Sequence, residues 1–183
     1  LEPSPEIAKN YPKSFRLAYV VTLAEHQLAT DLHVKNTSTD DVLEFQALFH
    51  NYIQAPSDSV LVTPLQGVSY KDKTDSSTQD LKTESRAGVD VKKFTDSVYT
   101  NAPQKYEVIW PGGGLSIRSQ DLKDVVVWNP QAEAGSKIGD MEEGGWERFI
   151  CVEPGYVDGF QKISAGVTWI GGQVLTVIHE ERL

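Results

Sequence analysis

Three polar side chains stand at the margins of otherwise apolar segments: His50, Asp96 and Glu153. A strand scaffold can hold such a side chain at the mouth of a cleft, the placement that proton transfer requires. His50 lies between Phe49 and Asn51-Tyr52-Ile53, and an imidazole with an ordinary pKa of about 6.5 can give or take a proton near neutrality. Taken alone, a hydrogen-bonded structural histidine is the commoner role. Glu153 follows Phe149-Ile150-Cys151-Val152 and precedes Pro154-Gly155, a pattern that predicts a carboxylate ending a strand beside a rigid turn. Partial burial there would raise its pKa and suit a general base; a glutamate satisfied by turn amides reads equally well. Asp96, in Phe94-Thr95-Asp96-Ser97-Val98-Tyr99, could accept hydrogen bonds from sugar hydroxyls, although an Asx turn is the commoner role for Asp before Ser. Trp128-Asn129-Pro130 offers a ring that could platform a pyranose, with core packing the more frequent use of an indole.

Other chemistries find no support. His26 and His33 fall in one predicted hairpin and His179 sits beside Glu180 and Glu181, without zinc-like spacing, so no metal is predicted. The single cysteine, Cys151, allows neither an internal disulfide nor a Cys-rich zinc site and reads as a small buried hydrophobe in a reducing cytosol. No Gly-x-Ser-x-Gly elbow of a serine hydrolase occurs. Gly112-Gly113-Gly114 lacks the Lys-Ser/Thr of a phosphate loop and predicts a hairpin turn.

The elements that must position these residues are short strands. Phe15 to Leu23 and Leu28 to Val34 alternate imperfectly around a break at Ala24-Glu25-His26, which predicts a β-hairpin. A polar turn at Asn36 to Asp41 leads into a strand over Val42 to His50. Further strands are predicted at Ser59 to Thr63, Val89 to Lys92, Tyr106 to Trp110, Gly114 to Ser119, Val125 to Trp128, Arg148 to Val152 and Val167 to His179. Ser69 to Asp80 is polar enough to predict an exposed loop, and only Gln131 to Ile138 could hold a helical turn or two. Many short strands between Gly, Pro and Asn turns point to an all-β sandwich or barrel.

A chain of 183 residues is long enough for one domain with a sizeable core, and residues 1–183 are read as a single domain. Its formal net charge of -9 and scattered Lys and Arg argue against nucleic acid. No apolar run reaches the length of a membrane helix. Leu1-Glu2-Pro3-Ser4-Pro5 is neither an initiator Met nor a signal peptide, so the chain is expected to be cut from something longer.

Five segments in order carry a resemblance: Phe45-Gln46-Ala47-Leu48-Phe49-His50-Asn51-Tyr52, Leu65-Gln66-Gly67-Val68-Ser69-Tyr70-Lys71-Asp72, Asp96-Ser97-Val98-Tyr99, Val126-Val127-Trp128-Asn129-Pro130 and Cys151-Val152-Glu153-Pro154-Gly155. Together they resemble the glucose-6-phosphate 1-epimerases of the aldose 1-epimerase, or galactose mutarotase-like, family, over nearly the whole chain. The resemblance implies a β-supersandwich, of which this chain is an incomplete, C-terminal portion, acting in the cytoplasm on a hexose 6-phosphate without a cofactor. It assigns the acid and base to His50 and Glu153 and substrate binding to Asp96. Ser97 stands where relatives usually carry Arg, and Gln131 where Trp commonly follows Asn-Pro. The arginines that resemble the family's phosphate clamp would precede Leu1, so a complementary N-terminal segment is an expected partner; Arg16, the only arginine before His50, is not assigned to phosphate. A catalytically silent carbohydrate-binding module on the same scaffold is the alternative.

Overall fold

A computed structural model of the chain describes residues 1–77 and 80–178. Two antiparallel sheets dominate it. The first runs in the order β1 (Phe15–Leu23), β2 (Gln27–Asn36), β13 (Thr168–Ile178), β10 (Gly113–Gln120), β9 (Lys105–Trp110) and β5 (Leu61–Thr63). The second runs β3 (Leu43–Leu48), β12 (Phe149–Ile163), β11 (Asp124–Asn129), β8 (Thr95–Tyr99), β6 (Ser69–Asp72) and β7 (Lys82–Thr83), with β4 (Tyr52–Gln54) also paired to β12. Among the described residues helix is confined to α1 (Pro5–Asn10), capped by the Ser4 hydroxyl, to α2 (Gln131–Gly135) and to a 3-10 turn at Gly145–Arg148. This is the all-β architecture predicted from the strand pattern.

Alternation of side chains across each strand builds the core. Val62, Tyr106, Val108 and Ile117 of the first sheet and Tyr99, Val125, Val127, Ile150 and Val152 of the second are fully buried in one cluster. A second cluster gathers Phe15, Val34, Leu43, Ala47, Phe49 and Trp169. The predicted hairpin forms over nine register pairs from Phe15↔Asn36 to Leu23↔Leu28, and the triple glycine turns β9 into β10, with Gly112 at φ 93.

Four expectations are corrected. Ser69–Asp72 is a strand within the predicted loop, since backbone pairing with β8 satisfies its amides whatever its polarity. Val89 makes only an isolated bridge to Val62, so no strand covers Val89 to Lys92. Asp96 is no Asx turn but lies inside β8, opposite Trp128. Most consequentially, Glu153 does not end a strand: β12 continues through Pro154 and Gly155 to Ile163. His179, the end of the last predicted strand, lies outside the described residues.

A proline within an inner strand needs a place where its missing N–H costs no ladder bond. Pro154 faces the gap between β3, which pairs as far as Leu48↔Gly155, and β4, which begins at Tyr52↔Cys151. Its carbonyl accepts from the Phe49 amide at 3.0 Å. Gly155 is demanded by close approach and not by a turn: a Cβ there would lie 2.9 Å from Leu48 Cδ1 and 3.0 Å from the Ala47 carbonyl oxygen. The gap that tolerates proline is the gap that His50 occupies.

Candidate active site

The outer face of the second sheet carries the candidate site. Register places Asp96 beside Trp128 and Trp128 beside Cys151, while Val98, Val126 and Glu153 form the next row of the same face. The intervening Ser97, Val125, Val127 and Val152 turn into the core and are buried. All three predicted residues therefore reach one region, Asp96 from β8, Glu153 from β12 and His50 from the β3–β4 connection.

His50 is held by a compact turn. The Asn51 amide donates to the Phe49 carbonyl at 3.0 Å, closing a three-residue turn centred on His50, and buried Phe49 anchors it below. Asn51 then locks the turn to both sheets. Its Nδ2 donates to the Val152 carbonyl at 3.0 Å and to Gln173 Oε1 at 2.7 Å, while Gln173 Nε2 donates back to Asn51 Oδ1 at 2.8 Å. Gln173 is buried on β13, so the reciprocal amide pair ties the histidine's backbone to the opposite sheet. Above the turn, the imidazole stacks on Tyr52 with centroids 4.8 Å apart and rings 3° from parallel. Trp128 meets the imidazole edge-on at 6.1 Å and is itself stacked with Phe149 at 5.7 Å. Trp128 is thus half-buried in the site wall and not a core indole.

His50 Nδ1 lies 3.4 Å from Glu153 Oε1, the imidazole about half exposed and the carboxylate nearly closed off, at 48% and 5% side-chain exposure. Burial pushes the Glu153 carboxyl up to about 7, and the neighbouring Asp96 carboxylate adds to the shift. Asp96 is raised as well, by burial first, with Asp72 reinforcing and Lys73 opposing. A glutamate in this state exchanges its proton near neutrality at little cost, and a histidine within reach can carry the complementary proton. The arrangement suits paired transfers on a polyhydroxylated ring seated against aromatic faces.

The two positions where relatives differ point elsewhere. Ser97 is buried on the core face, and Gln131 Nε2 donates to the Val91 carbonyl and the Ser57 hydroxyl. Asn129 serves the scaffold, its Nδ2 donating to the Trp146 and Phe149 carbonyls while Oδ1 accepts from the Gln131 amide. Tyr52, Asn51 and Gln173 were not among the predicted site residues. Tyr52 carries a signal in retrospect, an aromatic two positions from the histidine; Gln173 carries none, standing in an ordinary strand.

The chain is similar to known proteins along nearly its whole length. It is 26% identical over 170 residues to the "Putative glucose-6-phosphate 1-epimerase" of Escherichia coli (strain K12), covering 90% of this chain and 54% of that protein. The fold matches the crystal structure of "a putative mutarotase (YeaD)" from Salmonella typhimurium with a TM-score of 0.87 at 20% identity, covering 98% of this chain and 59% of the other. A galactose mutarotase-like protein from Lactobacillus casei ATCC 334 matches with a TM-score of 0.75 at 16% identity, over 97% of this chain and 68% of that one. The chain therefore spans a little over half the length of the first two. The family profile described as Aldose 1-epimerase matches residues 1–175, and the chain belongs to the aldose 1-epimerase family.

Proposed function

We propose that the complete protein interconverts the α and β anomers of a hexose 6-phosphate, glucose 6-phosphate foremost, with His50 and Glu153 as its acid and base. The observation that carries this reading is the 3.4 Å approach of a half-exposed imidazole to a buried carboxylate held at about 7. Glu153 takes the proton of the anomeric hydroxyl while His50 protonates the ring oxygen, and the ring opens to the free aldehyde. Rotation about C1–C2 presents the other carbonyl face, and reclosure reverses both transfers. Asp96 accepts hydrogen bonds from the sugar beside the Trp128 ring. Protons are the only species exchanged, so the reaction asks for no cofactor.

The phosphate preference is supported by the name of the Escherichia coli relative. The phosphate grip is assigned to an N-terminal segment that complements this chain. Support comes from β1, an edge strand whose Tyr19, Val21 and Leu23 are exposed, since such edges are ordinarily covered. We place the reaction in the cytoplasm. Among the described residues no helix is long and apolar enough to cross a membrane.

Exchange NMR on the complete protein with glucose 6-phosphate tests the reading. His50→Ala and Glu153→Gln are each expected to slow anomer exchange by about 10²- to 10⁴-fold. Wild-type rates in both variants would remove the two roles, and sugar phosphate binding with exchange at the buffer rate would instead identify a silent binding module. Running galactose and mannose 6-phosphates alongside ranks the substrates.

A further inference from the structure

The spacing of His26, His33 and His179 gives no zinc motif, but among the described residues the fold brings a different donor set together. A ligand atom each from His50, Cys151 and Glu153 lies within 4.8 Å of the others. Cys151 and Glu153 are two apart on β12 and so project from the same face of the sheet, and His50 reaches over them from its turn. We propose that these three side chains form an inhibitory site for a thiophilic divalent ion of the Zn²⁺ class.

The donor chemistry selects the ion. A thiolate, an imidazole and a carboxylate suit zinc and its neighbours, whereas Mg²⁺ and Ca²⁺ require oxygen ligands. From Zn–S and Zn–N bonds of about 2.3 and 2.0 Å, ligand atoms around a tetrahedral ion stand about 3.3 to 3.8 Å apart. The His50 to Glu153 separation of 3.4 Å already meets this. The other two approaches lie within 4.8 Å and close by rotation of the imidazole, the exposed member of the set, and of the Glu153 carboxylate. Three protein donors leave a fourth position for water or a sugar hydroxyl. Binding converts the Cys151 S–H to a metal thiolate and releases to solvent its proton and any proton held by Glu153, with no change of oxidation state. The metal then occupies the lone pairs that proton transfer uses. The inhibitory half of the proposal rests on the acid and base roles given to His50 and Glu153; the binding half does not.

Titration of the complete protein with Co²⁺, read by absorption, tests binding. The wild type is expected to show cobalt–thiolate charge transfer that Zn²⁺ abolishes and excess Mg²⁺ leaves in place. His50→Gln, a change at an exposed side chain, should weaken Co²⁺ binding at least about tenfold, and Cys151→Ser should lose the charge-transfer band while a circular dichroism melt verifies folding. No band from the folded wild type, or a band whose titration is unaffected by both His50→Gln and Glu153→Gln, overturns the site. On the complete protein, Zn²⁺ should slow anomer exchange in the wild type and much less in Cys151→Ser. Exchange undisturbed by bound metal overturns the inhibitory half. Thiolate binding in a protein that exchanges no anomers even without metal leaves the site standing and overturns the acid and base reading instead.

Discussion

Glu153 is a carboxyl group whose usefulness comes from its surroundings. Burial is the larger cause of its displacement to about 7, and the Asp96 carboxylate is the second. A base acts only once deprotonated, so kcat/KM of the complete protein is expected to rise with pH through an apparent pKa near 7. Asp96→Asn keeps the burial and removes the like charge, so the acid limb should move to lower pH while KM rises through loss of a hydrogen-bond acceptor. A pH–rate profile of the variant checks both, and an unmoved limb would show that Glu153 does not sense Asp96. The candidate residues were legible in the sequence, His50 and Glu153 as polar groups at the margins of apolar segments and Asp96 through the family resemblance alone. Their coupling was not. Asp96 acts on Glu153 through a sheet face assembled by β8, β11 and β12, and no local spacing records which strands become neighbours.

At the scale of elements, the β3–β4 connection is the part that aims the histidine, and Asn51 and Gln173 are its restraint. Gln173→Ala leaves the half-buried Asn51 amide short of one donor and one acceptor, which costs on the order of 1 kcal/mol of stability. Because a displacement near 1 Å can cost about a hundredfold in rate, kcat of the complete protein should fall by about ten- to a hundredfold with KM little changed. Asn51→Ala should do the same, and the double variant should lose no more than either single one. Full additivity, or loss confined to thermal stability, would show that the amide pair merely braces the sheets. The pair joins residues 122 positions apart, which explains why sequence reading passed over Gln173. By contrast the β1–β2 hairpin is local in sequence and was read to within a residue at its first strand. The Pro154-Gly155 pair was misread because those two residues usually signal turns. Here the proline fills a gap in pairing and the glycine admits β3, demands set by a strand more than a hundred residues away.

For the whole molecule, two buried glutamates pull stability in opposite directions with pH. Burial alone would raise Glu84, but hydrogen bonds from Arg86 at 2.8 and 2.9 Å and from the Tyr99 hydroxyl at 2.6 Å outweigh it and hold the carboxyl at about 2. Glu84 is therefore ionised when folded and takes up a proton more readily when unfolded. Its contribution is present above about pH 4.5 and is lost as pH falls toward 2. Glu153 has the reverse sign. Its carboxyl holds a proton in the fold up to about pH 7 that the unfolded chain releases from about 4.5, so stability is full below 4.5 and declines as pH rises to 7. At about 1.4 kcal/mol for each pKa unit, either effect is on the order of 3 to 4 kcal/mol, worth several degrees in Tm for a chain of this size. The lowered Asp72 and Asp158 act with Glu84, and the raised Asp96 acts with Glu153. Thermal melts across the pH range should therefore peak in mild acid, close to the unfolded glutamate pKa. Glu153→Gln should flatten the neutral limb, leaving the variant more stable than the wild type at pH values above 7 and no more stable below 4.5, although it loses the proposed base. A neutral limb that persists in Glu153→Gln would mean that the buried carboxylate is not what burdens the fold at the pH where it is needed.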